Sequence, residues 1–182
     1  MKKLYNNISA DQILKHIQYV PETGEFLWRE RSEKDFPHDN FRITWNKRCA
    51  GKVAGFLASN GYRHIDVLGA RFTAHRLAWF LTHGVWPEHD LDHINNDRED
   101  NRLANLRPAM RFQNLQNAKI RSNNTSGYKG VSRRKDTGKW TVRIREHGGR
   151  YRSFGQFETK EAAAEVAKAE REKLHGQFAN HG

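Results

Sequence analysis

The stretch that decides the fold is Asp90-Leu91-Asp92-His93-Ile94-Asn95-Asn96-Asp97-Arg98-Glu99-Asp100-Asn101-Arg102-Leu103-Ala104-Asn105-Leu106-Arg107-Pro108, continued by Arg111-Phe112-Gln113-Asn114-Leu115-Gln116-Asn117-Ala118. Short apolar pieces at Leu91/Ile94 and at Leu106 predict two brief strands around an Asn/Asp-rich turn, and 111–118 predicts a helix of about two turns. The unit is strand–loop–strand–helix. On such a helix Asn114 and Asn117 lie three apart and share a face, so either amide can point toward the strand end that bears Asp92 and His93.

These residue types suit phosphodiester cleavage, which needs a base to activate water and a cation to neutralise the charge developing on the phosphate and leaving oxygen. His93, with an ordinary pKa near 6.5, suits the base, whereas a carboxylate such as Asp92 and an amide oxygen are hard ligands for Mg²⁺. Neighbours on a strand face opposite ways, so Asp92 and His93 serve metal and water separately only where the strand ends or twists.

Upstream, 8–19 carries a helix signal: Ser9 can cap, Gln12 completes a capping box, and Ile13, Leu14 and Ile17 make one apolar face. Pro21-Glu22-Thr23-Gly24 predicts a turn into a strand at 25–28, and the polar stretch to about Asn40 a loop. Residues 53–68, with Asn60-Gly61 in the middle, predict a β-hairpin, because Asn-Gly accepts the positive φ angles of a tight turn. Residues 74–83 predict a helix with Leu77, Ala78 and Leu81 inward and Gly84 as the stop.

Downstream, the turn-rich Ser122-Asn123-Asn124-Thr125-Ser126-Gly127 suits a hinge, giving two domains, 1–121 and 122–182. Three short strands near 130–134, 139–145 and 150–154 follow, joined by Asp136-Thr137-Gly138 and His147-Gly148-Gly149 turns. Alternation puts Trp140, Val142 and Ile144 on one face and Thr141, Arg143 and Arg145 on the other. Thr159 caps a helix over 160–174 whose Ala163, Val166, Ala167 and Leu174 form a small-residue stripe that lets it approach the sheet closely.

Composition agrees with a polyanionic partner. The 182 residues carry 32 Lys and Arg against 21 Asp and Glu, a net charge of +11. Residues 1–118 hold 17 basic and 14 acidic side chains, and 119–182 hold 15 and 7, so the excess lies in the last third. With mean hydropathy of −0.94 the cores must be thin. A single cysteine, Cys49, excludes an internal disulfide and a multi-cysteine zinc cage. No apolar run suits a membrane span and the first seven residues lack a secretory signal's apolar stretch, so a soluble cytoplasmic protein is expected.

Residues 75–118 resemble an HNH endonuclease of the asparagine-rich subgroup found among phage and intron-encoded homing enzymes. His75-Arg76-Leu77-Ala78-Trp79, Asp92-His93-Ile94, Asp100-Asn101-Arg102, Asn105-Leu106-Arg107 and Gln113-Asn114 match its pattern in order. The resemblance implies a small ββα-metal fold in which His93 is the general base, Asn105 orients its imidazole, and Asp92 and Asn114 ligate one divalent metal. An amide in place of the family's last His favours Mg²⁺ or Mn²⁺, with no structural zinc.

Gly127-Tyr128-Lys129-Gly130-Val131, Gly138-Lys139-Trp140, Phe154-Gly155-Gln156-Phe157 and Thr159-Lys160-Glu161-Ala162-Ala163 resemble the APETALA-two/ethylene-response-factor DNA-binding domain. That resemblance implies that Arg133, Arg134, Lys135, Trp140, Arg143, Arg145, Arg150 and Arg152 meet duplex DNA. The expectation is therefore an α+β protein, a monomer: an HNH nuclease preceded by a short helix and β-hairpins and followed by a three-stranded antiparallel sheet packed on one helix. The rival readings are a non-catalytic DNA-binding regulator with a decayed nuclease fold, and an RNA-directed nuclease.

Overall fold

The computed structural model describes residues 8–182. The seven N-terminal residues, to which the expectation of no signal sequence refers, lie outside the described residues. The fold is α+β, and the chain divides into two compact units, 1–108 and 109–182. Among the described residues no helix is long and apolar enough to cross a membrane.

The first unit opens with α1 (Ala10–Leu14), where Ser9 and Gln12 form the expected reciprocal cap. The helix is shorter than 8–19, because Ile17–Val20 is instead strand β1, paired antiparallel with β2 (Glu25–Trp28). Pro21 biases the residue before it toward extended backbone, and the β2 partner supplies hydrogen bonds that one more helical turn would forfeit. Near Asn40 the chain forms a helix that the sequence does not predict, α2 (Asp39–Cys49), which buries none of its residues. Lacking an apolar stripe, it gives no periodic signal.

Strands β3 (Phe56–Leu57), β4 (Arg63–Val67) and β5 (Ala70–Thr73) form a meander, and Asn60-Gly61 lies in the β3–β4 turn as expected. Helix α3 (Ala74–His83) ends at Gly84, which takes the left-handed conformation at φ 73°. Its Leu77, Ala78 and Phe80 join Phe26, Ile65 and Phe72 in the core, and Trp86 stacks on Phe80 with ring centroids 4.2 Å apart. Strand β6 (Asp90–His93) pairs with β7 (Leu106–Ala109), as predicted.

The second unit starts with α4 (Arg111–Asn117) and continues with β8 (Val131–Arg133), β9 (Trp140–Arg145) and β10 (Tyr151–Phe157), an antiparallel sheet with β9 central. Thr159 accepts from the Ala162 amide to cap α5 (Lys160–His175). Val131, Val142 and Ile144 pack on Ala163 and Ala167. Small helix residues permit this approach, and Trp140, Phe154 and Phe157 close the rim. Arg171, also buried, donates to the Lys129 carbonyl and to His181 Nδ1. The Lys129 ammonium in turn meets the Gln116 and Ala118 carbonyls at the end of α4.

Candidate active site

Strand β6 is polar in sequence yet buried from Leu91 to His93: Asp92 is 3% and His93 5% exposed. Buried charges need partners. Arg107 on β7 donates from Nε and Nη2 to the same Asp92 oxygen, at 2.9 and 2.7 Å. The His93 ring is met by groups that sequence spacing does not connect to it. Its Nε2 lies 3.3 Å from Asn101 Oδ1, and its ring is edge-on to His75, centroids 5.2 Å apart, with Tyr62 at 5.9 Å. Burial pushes the imidazole pKa down, against the Asn101 hydrogen bond and the Asp92 charge, so the lone pair needed by a base is favoured.

The Asn/Asp loop between the strands is closed by its own side chains. Asn95 Oδ1 accepts from the Asp97 amide and Asp97 Oδ1 from the Glu99 amide, while Asn95 Nδ2 donates to Asp100. Such local caps are what short polar side chains do best outside helices and sheets. Asn96 sits at φ 60°, a conformation asparagine tolerates. Asn105, expected at the imidazole, instead spans the loop: its Oδ1 accepts from the Asn95 amide and its Nδ2 donates to the Asp100 carbonyl. Its carbonyl also accepts from the Ile94 amide, beside His93. Asn105 therefore holds the backbone on which His93 sits, and Asn101 meets the ring.

Asn101 has no role predicted from sequence, although it is 1% exposed. The signal that could have found it is its place in the Asp100-Asn101-Arg102 match, where it stands among several asparagines with equal claims. His75, part of the motif in sequence but without a role there, is buried at 8% exposure, and its Nδ1 has no hydrogen-bond partner among the described residues. Burial brings its pKa down to about 3, helped by His93, Arg76 and His64, so it is neutral.

Asn114 lies on α4, described with the second unit, and is half-buried. Asn117, the other asparagine of that helix face, is buried and accepts from Asn180 Nδ2 at 3.3 Å.

The basic residues of the C-terminal sheet do not share one face. Directly paired residues of antiparallel strands point the same way. Arg133 pairs with Trp140 and Arg152 with Ile144, so both belong to the helix-packed side, at its exposed margin. Arg133 Nε donates to the Gly138 carbonyl, and Arg152 meets Glu146 at 3.4 Å. The open side carries Ser132, Thr141, Arg143, Arg145, Tyr151 and Ser153, with Arg143 5.4 Å over the Tyr151 ring. Arg134 and Lys135 stand in the β8–β9 turn, where Arg134 is bound to Asp136, and the exposed Arg150 immediately precedes β10. Trp140 is a rim residue of the core.

A family model described as HNH endonuclease matches residues 72–116, the span that holds His75, Asp92, His93, Asn105 and Asn114. Protein 3.8 of Escherichia phage T7 is 34% identical over 106 residues, covering 58% of this chain and 86% of that protein. The chain belongs to the HNH endonuclease family. A solved structure described as "DNA binding and cleavage by the HNH homing endonuclease I-HmuI" aligns over 88% of this chain and 85% of its own, at 18% identity and a TM-score of 0.36. The HNH match in this endonuclease spans β5 to α4, so the N-terminal hairpin β1–β2 and the C-terminal sheet are additions around the motif.

Proposed function

We propose that this HNH endonuclease hydrolyses phosphodiester bonds of duplex DNA with one divalent cation, Mg²⁺ or Mn²⁺, and that its C-terminal sheet, an APETALA-two-like module within 122–182, selects the site, as a homing-type nuclease would. The observation that carries the reading is a buried histidine, His93, whose imidazole pKa burial pushes down, beside a buried carboxylate inside the span that the HNH family model matches. His93 takes a proton from the attacking water as the new P–O bond forms. The P–O bond to the leaving oxygen breaks, and that oxygen is protonated from solvent. Asn105 acts at one remove, by bracing the loop that follows His93.

A carboxylate oxygen and an amide oxygen are hard donors of the kind Mg²⁺ takes. Mg²⁺ keeps most of its waters and takes such donors, here Asp92 and Asn114 by the family resemblance. When bound, the cation neutralises charge developing on the phosphate and leaving oxygen. Arg107 orients the Asp92 carboxylate by holding one of its oxygens.

For the sheet, support comes from the open face: Arg143 and Arg145 project from alternate positions of β9, beside the hydroxyl-bearing Thr141, Tyr151 and Ser153. Arg can pair bidentately with guanine, and other cations hold phosphates. Arg134, Lys135 and Arg150 extend the basic surface from the turns. Arg133 and Arg152, by register, reach DNA only from the sheet's margin. Plasmid nicking with and without Mg²⁺, in wild type and His93→Ala, tests the reading; cleavage by His93→Ala at the wild-type rate overturns it.

A further inference from the structure

Asn101 is the residue that touches the His93 ring nitrogen, and its surroundings hold it in one orientation. Its Nδ2 donates to the Glu99 carbonyl at 2.9 Å, which turns Oδ1 toward His93 Nε2. Its carbonyl accepts the Tyr19 hydroxyl of β1 at 2.9 Å. Its peptide is roofed by Gly24, between β1 and β2: a Cβ there would stand 2.7 Å from the Asn101 carbonyl carbon and 2.5 Å from the Arg102 nitrogen. Gly24 also has φ +75°, so a side chain is excluded twice over.

An amide oxygen can only accept, so the nitrogen facing it must carry the proton. We infer that Asn101, clamped by Tyr19 and the Gly24 turn, is a positioning residue that fixes His93 as the Nε2–H tautomer and puts the basic lone pair on Nδ1. The β1–β2 hairpin, outside the span that the HNH model matches, is then part of the nuclease machinery and not only a packing element. Partners that fix a histidine's tautomer typically matter by about 10–100-fold where they have been removed around metal ligands, and a base depends on tautomer in the same way. Tyr19 is suited to its part: burial raises its pKa to about 12, so it stays a donor.

The inference rests on His93 being the base, and its test separates the two. The full chain, labelled with ¹⁵N-histidine, is measured by two-bond ¹H–¹⁵N correlation, alongside steady-state cleavage, in wild type, Tyr19→Phe, Asn101→Leu and Asn101→Asp. The wild-type His93 ring is expected as Nε2–H. Asn101→Leu should lose that bias and lower kcat by about 10–100-fold with KM for DNA unchanged. Asn101→Asp, which still offers an oxygen, should keep the tautomer and recover much of kcat. Tyr19→Phe, which removes one oxygen atom, should lower kcat without moving KM and keeps the test alive if Asn101→Leu does not fold. A wild-type Nδ1–H ring, or an Asn101→Leu or Tyr19→Phe protein with unaltered tautomer and kcat, overturns the inference. If instead His93→Ala cleaves normally, the assignment of the base fails whatever the tautomer.

Discussion

Arg107 gives two hydrogen bonds to a single oxygen of Asp92, so a carboxylate that is almost wholly buried meets a guanidinium side chain only 13% exposed. The two residues occupy neighbouring strands of the β6–β7 ribbon, and the pair ties the strand that ends in His93 to the strand that follows the Asn/Asp loop. Truncating one partner strands the other charge in a poorly hydrated place. Arg107→Met should therefore cost on the order of 3 kcal/mol of unfolding free energy, read by urea denaturation. A loss below about 0.5 kcal/mol would show that Asp92 is adequately held without it.

His93→Ala should abolish cleavage while DNA affinity stays close to wild type, because His93, in the base role proposed for it, acts on water and contributes little to phosphate binding. General-base catalysis is worth roughly 10²–10⁴-fold. Gel-shift affinity and plasmid nicking, measured on one preparation, check both halves.

Asp92→Ala and Asn114→Ala should each weaken activity and raise the Mg²⁺ concentration needed for half-maximal rate, since each removes one of the two protein ligands proposed for the cation. EDTA should imitate both. Full activity in EDTA would sink the metal assignment, and an unchanged Mg²⁺ requirement in Asn114→Ala with a shifted one in Asn117→Ala would move the ligand one turn along α4.

His75 sets an acid limit on stability. Its folded pKa is lowered from 6.5 to about 3 by burial, so the unfolded chain binds a proton that the folded chain refuses. The stability at stake is whole above pH 6.5 and is lost as pH falls from there toward 3, at up to about 1.4 kcal/mol per pH unit. Melting temperature against pH should fall more steeply over that window in wild type than in His75→Phe. Parallel curves would mean that the ring is protonated or hydrated in the folded protein.

On the C-terminal sheet, Arg143→Ala and Arg145→Ala should each reduce the slope of log K against log salt by about 0.9 for every phosphate of duplex DNA that the arginine neutralises in wild type. If either arginine reads guanine, discrimination at that position falls as well. By register Arg152→Ala should do less, since Arg152 lies on the other side of the sheet and is bound to Glu146. Equal effects from all three would argue against the open face as the docking surface.

Local chemistry decided the parts that were legible in sequence. The Ser9/Gln12 cap, the Gly84 stop, the Asn60-Gly61 turn, the β9 alternation and the strand–loop–strand–helix order each depend on residues within a few positions of one another, and each stands in the structure. Non-local pairing decided the rest. Ile17 continues an apolar helical face in sequence, yet its backbone bonds to β2 because Glu25–Trp28 lies alongside. The faces of Arg133 and Arg152 follow from cross-strand register and from the irregularity between Ser153 and Gln156, which no single strand's alternation reveals. Asn101 is one asparagine among many until the fold brings Tyr19 to its carbonyl, across a separation of 82 residues. Sequence spacing set which residues could serve as base, ligand or cap; which amide meets the imidazole was decided by burial, because in a close-packed interior each buried polar atom must bond to whatever partner the packing leaves within reach.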